Sequence, residues 1–125
     1  MPFKSRLIPF AILLSIAYGL AAQKQIDYQS DWGERKPSFP NQLILCRNVI
    51  FHHDNMTMNC DSAVFHTDDN FIEAFGEIHL YQDTVHLYGE RVYYDGNTKT
   101  AEIFGENVIL QDGGTTLETD YMVWD

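Results

Sequence analysis

The sequence predicts an all-β fold, an antiparallel sandwich or roll assembled from stacked repeats. Three observations carry this expectation. The chain echoes itself without gaps at about thirty residues: Val49 to Phe65, Ile78 to Tyr94 and Val108 to Trp124 are windows of equal length. Laid over one another, they align Met58 with Leu87 and Leu117, Asp61 with Glu90 and Asp120, and Phe65 with Tyr94 and Trp124. From Gln42 onward, apolar and polar residues alternate with the period of half-buried strands, in runs rich in Val, Ile, Tyr, Phe and Thr. Tight-turn sequences then separate the runs. In a stacked architecture each unit buries its apolar face on its neighbours rather than closing a core alone.

The elements follow in chain order. Lys4 and Arg6 precede a nearly unbroken apolar run from Leu7 to Leu20, and Gly19-Leu20-Ala21-Ala22 supplies small residues for cleavage. That layout predicts a secretory signal peptide over 1–22. The run is short for a spanning helix, and Pro9 interrupts it. Residues 23–41 are polar, carry Pro37 and Pro40, and read as a linker. The remainder, 42–125, reads as one small domain.

Within that domain, Val49 and Phe51, Met56 and Met58, and Ala63 and Phe65 share one phase within their segments. Ile78 and Leu80, Val85 and Leu87, and Val92 and Tyr94 repeat it. Val108 and Leu110, Leu117, then Met122 and Trp124 do so again. Turns are expected at His53-Asp54-Asn55, Thr67-Asp68-Asp69-Asn70, Asp95-Gly96-Asn97 and Asp112-Gly113-Gly114. Phe75-Gly76-Glu77 recurs as Phe104-Gly105-Glu106, and glycine at a fixed step in a β pattern marks a corner between sheets. The outward positions include Ile44, Ile50, Tyr81, Tyr88, Tyr93 and Ile109, so part of the outer surface is expected to be covered or to meet another copy. The third window has no return segment before Asp125, which reads as a fragment or an open edge.

Composition narrows the function. The formal net charge is −10, and loss of the leader would make the chain more acidic still. Without a basic patch, nucleic acid and anionic head groups are poor partners. An exported chain meets an oxidising compartment. If their segments pair as a simple hairpin, however, Cys46 and Cys60 face opposite sides, which favours two free thiols over a disulfide. His52-His53-Asp54 and His66-Thr67-Asp68-Asp69 match no closed metal spacing and read as hydrophilic turns. Asn55-Met56-Thr57 fits a glycosylation pattern that matters only in a eukaryotic secretory route. Asp61, Glu90 and Asp120 read as a structural position at strand ends. With no nucleophile–base set, glycine elbow or phosphate loop, neither enzyme activity nor a cofactor is expected.

The segments Met56-Thr57-Met58-Asn59-Cys60-Asp61-Ser62-Ala63, Glu73-Ala74-Phe75-Gly76-Glu77-Ile78, Leu87-Tyr88-Gly89-Glu90 and Leu117-Glu118-Thr119-Asp120-Tyr121 resemble the OstA-like repeat. The wording is similar to OstA-like proteins of the Bacteroidetes type. That family includes the periplasmic LptA-type bridge and the amino-terminal domain of LptD-type outer-membrane proteins. The resemblance implies a β-jellyroll with two sheets in a V, truncated here relative to a complete family domain. It further implies a periplasmic, outer-membrane-associated role in lipopolysaccharide transport. Edge strands would join it to other OstA-like or Lpt proteins, or to copies of itself. On this reading Phe51, Met58, Phe65, Leu80, Leu87, Tyr94, Leu110 and Leu117 line a groove for lipid A acyl chains. The alternative reading is a scaffold domain of a larger barrel protein that binds no lipid.

Overall fold

The structure is a computed structural model that describes residues 25–125; the leader expected over 1–22 lies outside the described residues. Eight strands account for nearly all of the described chain, and no helix occurs among these residues. The strands are β1 (Asp27–Gln29), β2 (Trp32–Arg35), β3 (Gln42–His53), β4 (Met56–His66), β5 (Phe71–Gln82), β6 (Val85–Asp95), β7 (Thr100–Asp112) and β8 (Thr115–Trp124). All pairings are antiparallel, in the order β1-β3-β4-β5-β6-β7-β8, with β2 also on β3.

Each long pairing breaks register once near its middle: at Cys46/Val49, Asn59/Ser62, Phe75/Ile78, Tyr88/Arg91 and Phe104/Val108. These bulges bend every strand at the same height, so one continuous sheet has two leaves. Leaf one contains 42–46, 62–66, 71–75, 91–95, 100–104 and 121–124. Leaf two contains 49–53, 56–60, 78–82, 85–89, 108–112 and 115–119. The bulge also resets the side-chain phase. In β4, Met56, Met58 and Cys60 are buried before the corner, and Ala63 and Phe65 after it. Both leaves therefore aim apolar side chains into one interior. Phe51 of leaf two meets Phe65 of leaf one edge-on at 6.0 Å.

The corners explain the repeated acids. Asp61, Glu90 and Asp120 sit in mid-strand at the bulges rather than at strand ends, which corrects the sequence reading. A bulged residue leaves the ladder and faces water, so a charge there costs little. Glycine on the neighbouring strand makes room for the acid. A Cβ on Gly76 would lie 2.6 Å from Asp61 Oδ2, and one on Gly105 would lie 3.2 Å from Glu90 Cγ. Gly76 also holds φ at +82°. Gly76→Ala should therefore cost about 1–3 kcal/mol. Gly114→Ala, in open space, should stay within about 0.5 kcal/mol. Urea unfolding midpoints compare the two.

The segment read as a linker, 23–41, contains β1 and β2. They run along the two leaves of β3, with Tyr28 opposite Phe51 and Trp32 opposite Cys46. Ile26 is buried, and its N–H donates to Asn70 Oδ1. Both strands are short and exposed, so they lack the alternation that reveals a half-buried strand.

Candidate functional site

Cross-strand register lines up the interior in two rows. On leaf two, Phe51, Met58, Leu80, Leu87, Leu110 and Leu117 are successive direct partners from β3 to β8. On leaf one, Leu43, Phe65, Ile72, Tyr94, Ala101 and Trp124 form the second row. The eight residues singled out from sequence fall on these rows, six on one and two on the other. The rows also contain Leu43, Ile72 and Ala101, with inward neighbours Leu45, Ala74 and Ile103, all buried and none singled out by phase in the sequence. Several fall in the short stretches between the aligned windows, where each strand makes its approach to the corner.

The interior is not uniform along the stack. From β3 to β6 it is closed: Phe51, Met58, Phe65, Leu80, Leu87 and Tyr94 are all buried. Toward β8 it opens. Val85, Leu110, Met122 and Trp124 are only partly buried against the core, and Leu117 is 52 % exposed. Among the described residues, β8 pairs with β7 alone, so nothing packs over Leu117 from the far side.

At the free ends of the two leaves lies a cleft of about 540 Å³, lined by His53, Met56 and Gln82 from leaf two and by Tyr94 and Trp124 from leaf one. His53, buried in the core, shares a 2.7 Å hydrogen bond with the Tyr94 hydroxyl across the interior. Lys99 pairs with Asp54 at the rim. These contacts tie the leaves together beside the cleft. His53, expected as a hydrophilic turn residue, is instead the last inward position of β3, following Val49 and Phe51 at a spacing of two.

Burial pushes the Tyr94 hydroxyl up to about 12, with Asp54 and Asp95 adding repulsion. Burial also pushes the Cys60 thiol up to about 12, against a lowering hydrogen bond from the Phe75 backbone. Cys46 and Cys60 are both free; Cys60 is buried and Cys46 half-buried. Both raised groups hold their proton more tightly folded than unfolded. Stability is thus unaffected by them below about pH 9 and falls as pH rises toward about 12. Denaturation midpoints taken across that window should decline, and Tyr94→Phe should flatten the upper part. In the folded protein an alkylating reagent should modify Cys46 well before Cys60. Comparable rates would contradict the burial of Cys60.

Among the described residues, no group of three or more His, Cys, Asp or Glu side chains converges as a metal cluster. No helix long and apolar enough to cross a membrane occurs among the described residues.

A family model described as OstA-like protein matches residues 26–125. No curated protein matches the chain. Among solved structures, the fold is similar to LptH from Pseudomonas aeruginosa, described as the LptA-homologous periplasmic component of the conserved lipopolysaccharide transport device. The TM-score is 0.71 at 16 % identity, over 82 % of this chain and 78 % of that one. At that identity the likeness speaks for the fold.

Proposed function

This chain belongs to the OstA-like family, and on that footing we propose that it is a periplasmic carrier domain that holds lipopolysaccharide by its acyl chains. The observation that carries the reading is the graded interior, two apolar rows closed from β3 to β6 and open at Leu110, Leu117 and Trp124. An acyl chain entering at β8 would extend the row that runs from Phe51 through Leu87. Each buried methylene contributes about 0.8 kcal/mol, so a few chains suffice for retention. Residues that hold and release in this way perform no chemical step, and the energy for movement comes from elsewhere. The chain's acidity repels lipid A phosphates, so retention rests on apolar contact or on bridging cations.

Assembly through sheet edges belongs to the same reading. The outer edge of β8 carries no partner among the described residues, and an unpaired edge is a template for strand addition. Tyr121 and Val123, both exposed, would then be covered by a neighbouring OstA-like domain, which would continue the trough from one domain to the next.

The test uses tryptophan emission. Trp32 is exposed on β2 and Trp124 borders the cleft. In a Trp32→Phe variant, adding lipopolysaccharide should blue-shift the Trp124 emission and bring the lipid into the protein's elution peak. Unchanged emission without co-elution would overturn the reading.

A further inference from the structure

The outer face of leaf two carries a cluster that a lipid-holding interior does not use. His79 and Tyr88 are direct partners on β5 and β6, and Tyr81 and His86 form the next pair. His79 Nε2 and His86 Nδ1 lie 2.9 Å apart. The two ring planes differ by 20° with centroids 5.1 Å apart, so the imidazoles meet edge to edge through those nitrogens. Tyr88 stacks on His79 at 4.6 Å and 7°, and Tyr81 lies against His86 at 5.8 Å and 21°. On β4, Asn59 is the direct partner of His79 and shares its outward face. Its Oδ1 is buried and accepts no hydrogen bond. An orphaned acceptor of this kind costs about 1–3 kcal/mol; Asn59 lies across β5 from His86 and flanks the pair on the His79 side.

We propose that His79 and His86 form a two-nitrogen binding site for a divalent transition-metal ion on the outer face of the sheet. The donor set indicates the kind of ion. Two imidazole nitrogens without a thiolate suit first-row divalent metals, and affinity at a given nitrogen site rises through Ni²⁺ to a maximum at Cu²⁺. In the hydrogen-bonded pair, one nitrogen donates its proton to the other. Metal binding replaces that proton, moves it to the far nitrogen of the same ring, and turns each ring until both lone pairs converge. Histidine χ2 is soft enough for this turn, and water fills the remaining positions. Antiparallel register fixes the two ligands on adjacent strands, so the site is built without a loop.

Titrating the untagged protein with CuSO₄ or NiCl₂ in a non-coordinating buffer near neutral pH tests the proposal. One equivalent of Cu²⁺ should bind in the micromolar range, with an electron paramagnetic resonance spectrum showing two imidazole nitrogens. His79→Gln and His86→Gln should each weaken binding by about tenfold or more, while His66→Gln, on leaf one, should leave it unchanged. Should His79→Gln fail to fold, His86→Gln decides through the loss of one nitrogen coupling. Absence of a bound equivalent, or binding indifferent to His86→Gln, would overturn the site. Neither outcome bears on lipid retention, which is read at Trp124 inside the molecule.

Discussion

Phe51→Ala should remove about 3–5 kcal/mol of folding stability, a large share of the 5–15 kcal/mol typical of a domain this size. Phe51 is fully buried, lies directly opposite Met58, and touches Phe65 across the interior. Truncating it leaves a void between two leaves that are each held by their own ladder, so the walls cannot collapse to fill it. The loss therefore combines the transfer of a phenyl ring with the cost of a cavity. A urea midpoint shift equivalent to less than about 1 kcal/mol would mean that the leaves do not face one another as described.

Leu117→Asp is the complementary case, with a large effect on binding and a small one on folding. Leu117 closes the leaf-two row but remains half exposed on β8, so an aspartate there stays hydrated in the free protein. Stability should change by no more than about 0.5 kcal/mol. A lipid chain laid along the row would lose contact with two or three methylenes and would have to strip water from a carboxylate. At about 0.8 kcal/mol per methylene, the loss is about 2 kcal/mol, or about a 30-fold drop in lipopolysaccharide affinity. The same substitution at Glu118, which already faces outward opposite Ile109, should do nothing. Equal affinity for Leu117→Asp and the parent would place the acyl chains elsewhere.

Much of this fold was legible in the sequence, because two simple periods coincide. Alternation revealed the long strands, and the thirty-residue echo placed Met58, Leu87 and Leu117 on one row, which the register confirms. The corners were legible at Gly76 and Gly105, where glycine breaks a β pattern. At Arg47 and Asn48 they were hidden, because two ordinary side chains adopt positive φ there. Nor did the sequence show that the corner acids and glycines are steric partners, since Asp61 and Gly76 meet only when β4 lies beside β5. β1 and β2 escaped notice for a different reason. They earn their place by pairing with β3 rather than by burying a face, and pairing leaves no periodic mark. The outward residues were expected to be covered, and several are half-buried by one another, as with Tyr88 on His79.

Photo-crosslinking at adjacent positions on β8 tests the central claim most directly. A photoreactive side chain at position 117 looks into the trough, and one at 118 looks out of it, on the same strand and both exposed. With lipopolysaccharide bound, the account predicts strong lipid adducts at 117 and few at 118. Equal labelling at both positions, or stronger labelling at 118, would contradict it.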